Sequence, residues 1–351
     1  MTARMEHMHR SLVTIDLSAI RHNVRALLGL LDGSGLWAVV KADGYGHGAV
    51  DVGRTALEAG ASALCVATPG EGLELRRALP RARIVVLGDT GSVDLAVVRE
   101  ARLELGVSTA HVPEGVPVHL KLDTGMGRWG LSEVAATGSG VVGLMSHFAS
   151  ADTDPEFTES QLSRFLAATA SHAHLPRHIA NSAGTLRHPA SRLDAVRCGI
   201  AVYGISPFDT GSPADDLRSV GLRPALRWES SVALVKTLAP GESTGYGRRY
   251  VATEPTRVGI VPVGYADGFR RDMAGTEVIV AGERAAVVGT VSMDAVAVLL
   301  PAAAGHGDTV TLVGDGVLIE DHARVSGTIP YEIACGIVSR ATRSEREVVD
   351  E

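Results

Sequence analysis

The chain is poor in the features that assign a protein to a special class. Its 351 residues include three cysteines, Cys65, Cys198 and Cys335, far apart and in apolar surroundings. No Cys-x-x-Cys spacing occurs, so neither a zinc site nor a disulfide framework is expected, and a reduced, cytoplasmic compartment fits. No run of about 18 apolar residues is present, which argues against a transmembrane helix. Residues 1–10 are polar, carry His7 and His9, and lack the apolar centre of a signal peptide. They read as a tail rather than a metal-binding tract. There is no long basic run, and the formal net charge is −7, so nucleic acid binding is not suggested. The phosphate-loop order Gly-x4-Gly-Lys-Ser/Thr is absent, as are low-complexity segments.

What is present is an ordinary globular balance, 45% hydrophobic and 21% charged, in a chain long enough for two domains. The stretch that organises the rest runs from Trp37 to Gly48. Trp37, Ala38, Val39 and Val40 form a short apolar run that reads as a buried strand. Lys41 follows, and then Gly44, Gly46 and Gly48 alternate with Tyr45 and His47. A strand ending in lysine and closely spaced glycines puts an ammonium at the strand's C-terminal mouth, where a tight or closely approaching backbone is available. That edge is where active sites form in parallel α/β sheets and barrels. On these residues alone Lys41 is either a solvated lysine at a loop start or an amine that forms an imine with a carbonyl cofactor.

Read in order, a strand at 11–16 is followed by a helix that Ser18 can cap, with Ile20, Val24, Leu27, Leu28 and Leu31 at spacings of three and four. Further strands are expected at 37–40, 63–67, 84–87, 103–107, 118–122, 141–145, 178–180 and 196–202, with helices at 49–59, 72–78, 93–99 and 159–172 between them. Eight strands with helical crossovers fit a (β/α)8 barrel or a doubly wound sheet. Residues 209–221 read as a polar linker. Beyond it strands dominate, at 231–238, 257–263, 277–280, 285–291, 295–299 and 309–313, and helical periods return only in roughly the last forty residues. The expected division is 11–222 and 223–351.

The run Val-Val-Lys-Ala-Asp-Gly-Tyr-Gly-His-Gly from Val39 to Gly48 resembles the lysine motif of alanine racemases, the fold-type III enzymes that use pyridoxal 5'-phosphate (PLP). Further segments agree in order: those holding Lys121 to Gly130, Ser146 to Ala149, His178 to Gly184, Arg197 to Gly204 and Ser243 to Tyr250, and then those around Tyr265, Met293 and Tyr331. The resemblance implies an α/β fold, a (β/α)8 barrel followed by a mainly β C-terminal domain, with the N-terminal strand packed on the latter. It implies that Lys41 holds PLP as an imine and that Tyr45, Ser182, Gly199, Ile200 and Tyr331 serve its phosphate. It also implies that Arg128 reaches the phenolic oxygen and the substrate carboxylate, that His147 lies beside the ring, and that Arg197 faces the pyridine nitrogen. A permanently charged guanidinium there leaves that nitrogen unprotonated, which should suppress transamination. Tyr246 is implied as the second base, Tyr265 at the mouth of the site, the Met293 N–H on the substrate carboxylate, and a carbamate on Lys121. An unmodified Lys121 would repel Arg128, so the modification has an electrostatic rationale. Gly245 departs from the serine that many members carry before the tyrosine.

The function so implied is racemisation of alanine, supplying D-alanine for peptidoglycan, by a homodimer whose two chains complete each other's sites. Racemisation needs a base on each face of Cα, here Lys41 and Tyr246. A decarboxylase of the same fold type would supply a cysteine motif from its second domain, and a non-catalytic PLP carrier would resemble the barrel alone. A racemase of serine or a larger amino acid stays open, because small pocket changes are worth only about 1–3 kcal/mol.

Overall fold

The computed structural model describes residues 10–88, 93–134, 140–208, 220–337 and 342–350. The polar N-terminal stretch with His7 and His9, and nearly all of the linker expected at 209–221, lie outside the described residues. The chain divides into two compact units, Ala19–Arg223 and a second one made of Met1–Ser18 with Pro224–Glu351.

In the first unit eight parallel strands are ordered β8-β7-β6-β5-β4-β3-β2-β9. They are β2 (Gly35–Val39), β3 (Ala63–Val66), β4 (Ile84–Val86), β5 (Leu103–Val107), β6 (Val118–Lys121), β7 (Val141–Met145), β8 (Arg177–His178) and β9 (Ala195–Cys198). The Arg197 N–H donates to the Ala180 carbonyl at 2.9 Å and the Asp194 N–H to the Arg177 carbonyl at 3.1 Å. These bonds bring the two outer strands together and close the sheet into a barrel. Strands covered on both faces read as unbroken apolar runs, as β3 and β4 do, and both are buried at every residue; β6 is buried throughout too, although it carries His119 and Lys121. Around them lie α1 (Leu17–Leu28), α2 (Lys41–Tyr45), α3 (Ala49–Glu58), α4 (Pro69–Ala78), α5 (Leu95–Glu100), α6 (Pro155–Ala168) and α7 (Ser182–Arg187).

Three expectations change, and one connection that carried no expected helix is a loop. Helix α1 starts at Leu17 directly after Asp16, so Ser18 lies inside its first turn and does not cap it. Helix α4 starts three residues earlier than its apolar spacing suggests, because Thr68 and Glu71 form a capping box around Pro69. The strand expected over 196–202 ends at Cys198. Gly199, at φ −104° and ψ −94°, turns the chain into a 3-10 turn over Ile200–Tyr203. No helix links β5 to β6, where residues 108–117 run as loop.

The second unit is a nine-stranded sheet ordered β11-β14-β17-β16-β15-β18-β10-β1-β19. Its strands are β1 (Leu12–Asp16), β10 (Leu226–Ser231), β11 (Leu234–Leu238), β14 (Thr256–Val261), β15 (Glu277–Val280), β16 (Glu283–Val288), β17 (Val296–Leu299), β18 (Thr309–Val313) and β19 (Glu345–Val349), with a small ribbon of β12 (Ser243–Thr244) and β13 (Tyr250–Val251). Strand β1 pairs antiparallel with β10 and parallel with β19. Helices α8 (Ile319–Ser326) and α9 (Pro330–Gly336) follow β18. The single strand expected over 231–238 is two strands, because Val232 and Ala233 break the run.

Candidate active site

The C-terminal mouth of the barrel is built from the turns that follow its strands. After β2 the chain enters α2, and this turn is left-handed. Ala42, Asp43, Gly44, Tyr45 and Gly46 have φ of 52°, 51°, 63°, 54° and 82°. Its N–H groups still bond backwards, Gly44 to the Val40 carbonyl at 2.9 Å and Gly46 to that of Ala42 at 3.1 Å. A non-glycine residue in this region costs about 1–2 kcal/mol, so Ala42, Asp43 and Tyr45 hold it against a local penalty. Two carboxylates offset that cost. Glu71 accepts the Ala42 N–H at 2.7 Å, and Asp43 accepts the Ala49 N–H at 2.9 Å. Lys41 thus sits at the strand end with its following backbone fixed.

Tyr45 is buried, its ring 5.1 Å from that of Tyr203, whose hydroxyl donates to the Val39 carbonyl at 3.0 Å. A Cβ on Gly199 would come within 2.4 Å of the Tyr45 hydroxyl, so only glycine lets that oxygen lie against the 199–200 backbone. The Ser182 hydroxyl oxygen accepts the Gly199 N–H at 3.0 Å and the Ala201 N–H at 3.3 Å. Tyr45, Ser182, Gly199 and Ile200 therefore converge. Two hydroxyls and backbone N–H groups at the start of a turn make a cradle that suits a phosphate.

Arg128 lies on a loop that closes on itself. The Asp123 N–H donates to the Leu131 carbonyl at 2.9 Å and the Leu131 N–H to that of Lys121 at 2.8 Å. Inside the loop Asp123 accepts the N–H groups of Gly125 and Gly127. The Arg128 guanidinium lies 5.1 Å and the Lys121 ammonium 5.3 Å from the centre of the Trp129 ring, so one indole ring steadies both cations. Lys121 is buried. His147 is half-buried. Its pKa is pushed well below 6.5, first by burial and then by the charges of Arg197, Lys121, Lys41 and Arg128. The imidazole is thus kept neutral within the field of four cations, a setting that fits an anionic ligand.

Arg197 is 2% exposed. Its NH2 donates to the Ser146 carbonyl at 2.6 Å, to His147 Nδ1 at 3.2 Å and to the Ile179 carbonyl at 3.2 Å. Its NH1 donates to His178 Nδ1 at 2.5 Å and to the His178 carbonyl at 3.0 Å. Burial brings it down to about 10, so it stays cationic at neutral pH. The Nε–H is the one donor that none of these bonds uses, a fit to a ring nitrogen acceptor.

The remaining sequence-predicted residues lie in the second unit. Tyr246 is 71% exposed between Gly245 and Gly247, both at positive φ, and its carbonyl accepts the Thr290 hydroxyl at 2.7 Å. Gly245 has φ 75° and ψ 172°, and a Cβ there would lie 3.0 Å from the Thr290 nitrogen. The backbone of this chain therefore accounts for glycine at that position. Met293 is exposed, and its carbonyl accepts the Ala266 N–H at 3.1 Å, while the Ser292 carbonyl accepts that of Tyr265 at 3.0 Å. Tyr265 lines an open cleft of about 470 Å³ with Arg249, Arg270, Arg271 and Asp272. Arg270 pairs at 2.5 Å with Glu332, the residue after Tyr331 in α9. Tyr246, Tyr265 and Met293 are thus tied through short local backbone contacts, and Tyr331 stands one residue before the Arg270–Glu332 pair.

Sequence reasoning misses Glu71, Asp123 and Trp129, which shape the turns carrying Lys41 and Arg128. The Thr68–Glu71 spacing is the one signal that points to any of them.

Residues 15–207 match the family described as "Alanine racemase, N-terminal domain", and residues 225–345 match "Alanine racemase, C-terminal domain". Among curated proteins, the alanine racemase of Laribacter hongkongensis is 42% identical over 356 residues, covering 94% of this chain and 97% of that one. That of Lactiplantibacillus plantarum is 39% identical, covering 96% and 98%. Among solved structures, the biosynthetic alanine racemase of Pseudomonas aeruginosa superposes with a TM-score of 0.89 at 36% identity, covering 97% of this chain and 100% of that one.

Proposed function

The chain belongs to the alanine racemase family, and from that premise we propose that it interconverts L-alanine and D-alanine with PLP as cofactor. The observation that carries the reading is the barrel mouth, where the Tyr45, Ser182 and Gly199 cradle lies with the buried Arg197 held against Ser146 and His147. In this reading Tyr45, Ser182, Gly199, Ile200 and Tyr331 hold the phosphate, Arg197 offers its Nε–H to the ring nitrogen, and His147 lies beside the ring. Arg128, Met293 and Tyr265 orient the substrate, with Arg128 on its carboxylate. PLP supplies a carbonyl for the substrate amine and an electron-withdrawing system that acidifies the Cα–H. Lys41 Nζ takes or returns the Cα proton on the D-face, and Tyr246 Oη does so on the L-face. A carbamate on Lys121 would exchange a repulsive ammonium for an attractive anion near Arg128.

The assembly proposed is a homodimer in which Tyr246 and Met293 of one chain complete the barrel mouth of the other. The setting proposed is cytoplasmic, where D-alanine would be made for peptidoglycan. Cys65 and Cys198 are free thiols buried in the barrel, and burial pushes each up to about 12, which leaves them unreactive. No helix among the described residues is long and apolar enough to cross a membrane.

A chiral product assay on a panel of amino acids tests the function. D-alanine from L-alanine, and the reverse, at rates above those for serine and larger residues is expected. Faster racemisation of serine would move the substrate assignment, and no racemisation of any amino acid would overturn the reading.

A further inference from the structure

A second buried arrangement lies below the mouth, inside the barrel. Trp37 on β2, His119 on β6 and His178 on β8 touch one another, with ring centres 5.5 Å apart for Trp37 and His119, 4.4 Å for Trp37 and His178, and 4.9 Å for the two histidines. Strands β2 and β6 are not neighbours in the sheet, so these side chains meet across the barrel interior. Alternate strands contribute to one interior layer in such barrels. The layer is unusual in being polar. His119 and His178 are both 0% exposed. From β5, Glu104 reaches in to accept from His119 Nε2 at 2.8 Å. Arg83, just before β4, donates to the same carboxylate through Nε at 2.8 Å and NH2 at 2.9 Å, and its guanidinium lies 4.7 Å from the Trp37 ring centre.

The protons of this chain can be placed by elimination. A guanidinium has only donors, so His178 Nδ1, 2.5 Å from Arg197 NH1, must present its lone pair. His178 then carries its proton on Nε2, which lies 3.0 Å from His119 Nδ1. His119 Nδ1 is therefore also a lone pair, and His119 Nε2–H donates to Glu104. The bonds run one way, from Arg197 through His178 and His119 to Glu104. One end can only donate and the other, while ionised, can only accept. Burial holds both histidines below their ordinary pKa. Although burial works to raise Glu104, its bonds from His119 and Arg83 hold it down at about 2.

We infer that Glu104 is a positioning residue for Arg197, which it orients through the two buried histidines from the other end of this hydrogen-bonded chain. The inference rests on the reading above, in which the unused Nε–H of Arg197 serves the cofactor ring. A lone pair held on His178 Nδ1 fixes NH1 and stops the guanidinium from turning, so the direction of Nε–H is fixed too. Only an anion at position 104 makes the chain unambiguous. A glutamine there would have to aim its amide N–H at either His119 or Arg83. Toward Arg83 it faces another donor. Toward His119 it drives the protons to Nδ1 of both imidazoles, and His178 then opposes Arg197 with a donor.

The test is histidine-selective 15N NMR of the purified protein at pH 7, with resonances assigned by His119→Gln and His178→Gln. Wild type should show both imidazoles neutral with the proton on Nε2. A wild-type His178 or His119 that is protonated, or carries its proton on Nδ1, overturns the proposal without any variant. Glu104→Gln should give mixed tautomers at both positions and lower kcat about tenfold, with a smaller change in KM. Arg83→Gln keeps the carboxylate and should leave tautomers and kcat near wild type. Equal damage from Arg83→Gln and Glu104→Gln would mean an ion pair that merely supports the barrel, and would overturn the inference. Wild-type racemisation is measured alongside. Its absence would count against the function, while the tautomers would still decide the role of Glu104.

Discussion

The Ser182 hydroxyl oxygen lies 3.0 Å from the backbone nitrogen of Gly199 and accepts its N–H. This bond joins the start of α7 to the turn after β9, and a second bond from Ala201 at 3.3 Å strengthens the joint. Ser182→Ala removes the acceptor from two buried donors and one hydroxyl from the cradle. A hydrogen bond to a charged group is worth about 1.5–3 kcal/mol, so PLP should bind about tenfold more weakly or worse. Titration of cofactor absorbance into dialysed protein measures this, and an unchanged affinity would take Ser182 out of the cofactor site.

Lys41 can be tested with little ambiguity because the sequence holds three lysines, Lys41, Lys121 and Lys236. Borohydride reduction followed by peptide mapping should place the pyridoxyl label on Lys41. Lys41→Ala should lose the cofactor absorption and nearly all racemisation. A label on Lys121 or Lys236 instead would make the assignment wrong.

Tyr246→Phe keeps the ring and removes the hydroxyl proposed as the proton carrier. The variant should still bind PLP, because Tyr246 lies outside the barrel that holds the cradle, and it should lose most turnover. The loss of α-deuterium exchange should be greater from L-alanine than from D-alanine. Equal exchange from both enantiomers at wild-type rates would rule out the role.

The Glu104 carboxyl also sets a pH dependence of stability. Its folded pKa of about 2 lies below the ordinary 4.5, so the unfolded chain takes up its proton first as pH falls. The stabilisation is full above about pH 4.5 and disappears as pH falls toward 2. Urea unfolding at pH 6, 5, 4 and 3 should therefore show a steeper loss in wild type than in Glu104→Gln. Parallel curves for the two proteins would contradict the depressed pKa.

Much of this architecture is legible in the sequence, for physical reasons. Parallel strands buried on both faces appear as continuous apolar runs, which is why β7 falls where the run at 141–145 places it. The motif lysine and glycines mark the mouth because strand ends followed by glycine are visible in one dimension. Other features are not visible there. Nothing in the spacing of Glu104, His119 and His178 says that three strands aim these residues at one another, since that depends on how the barrel closes. The left-handed backbone of Ala42, Asp43 and Tyr45 opposes their own preferences, and carboxylates from Glu71 and Asp43 enforce it. Strand β10 is hidden because Leu226 and Trp228 alternate with Arg227 and Glu229 just past a polar stretch, and six residues of alternation resemble a linker's end.

The last prediction concerns assembly. Lys41 lies in the barrel unit, while Tyr246 and Met293 lie in the other unit of the chain. If two chains pair about a twofold axis, every contact occurs twice, and two sites form, each with Lys41 from one chain and Tyr246 from its partner. Lys41→Ala and Tyr246→Ala proteins, each inactive alone, can be mixed after dissociation and allowed to reassociate. In a mixed dimer one site then carries both defects and the other carries neither. Random pairing makes about half the dimers mixed, each with one intact site of two, so about a quarter of wild-type activity should return. If both residues of a site came from one chain, every site would keep one defect. Mixed dimers demonstrated by differential tags but without recovered activity would therefore exclude the shared site.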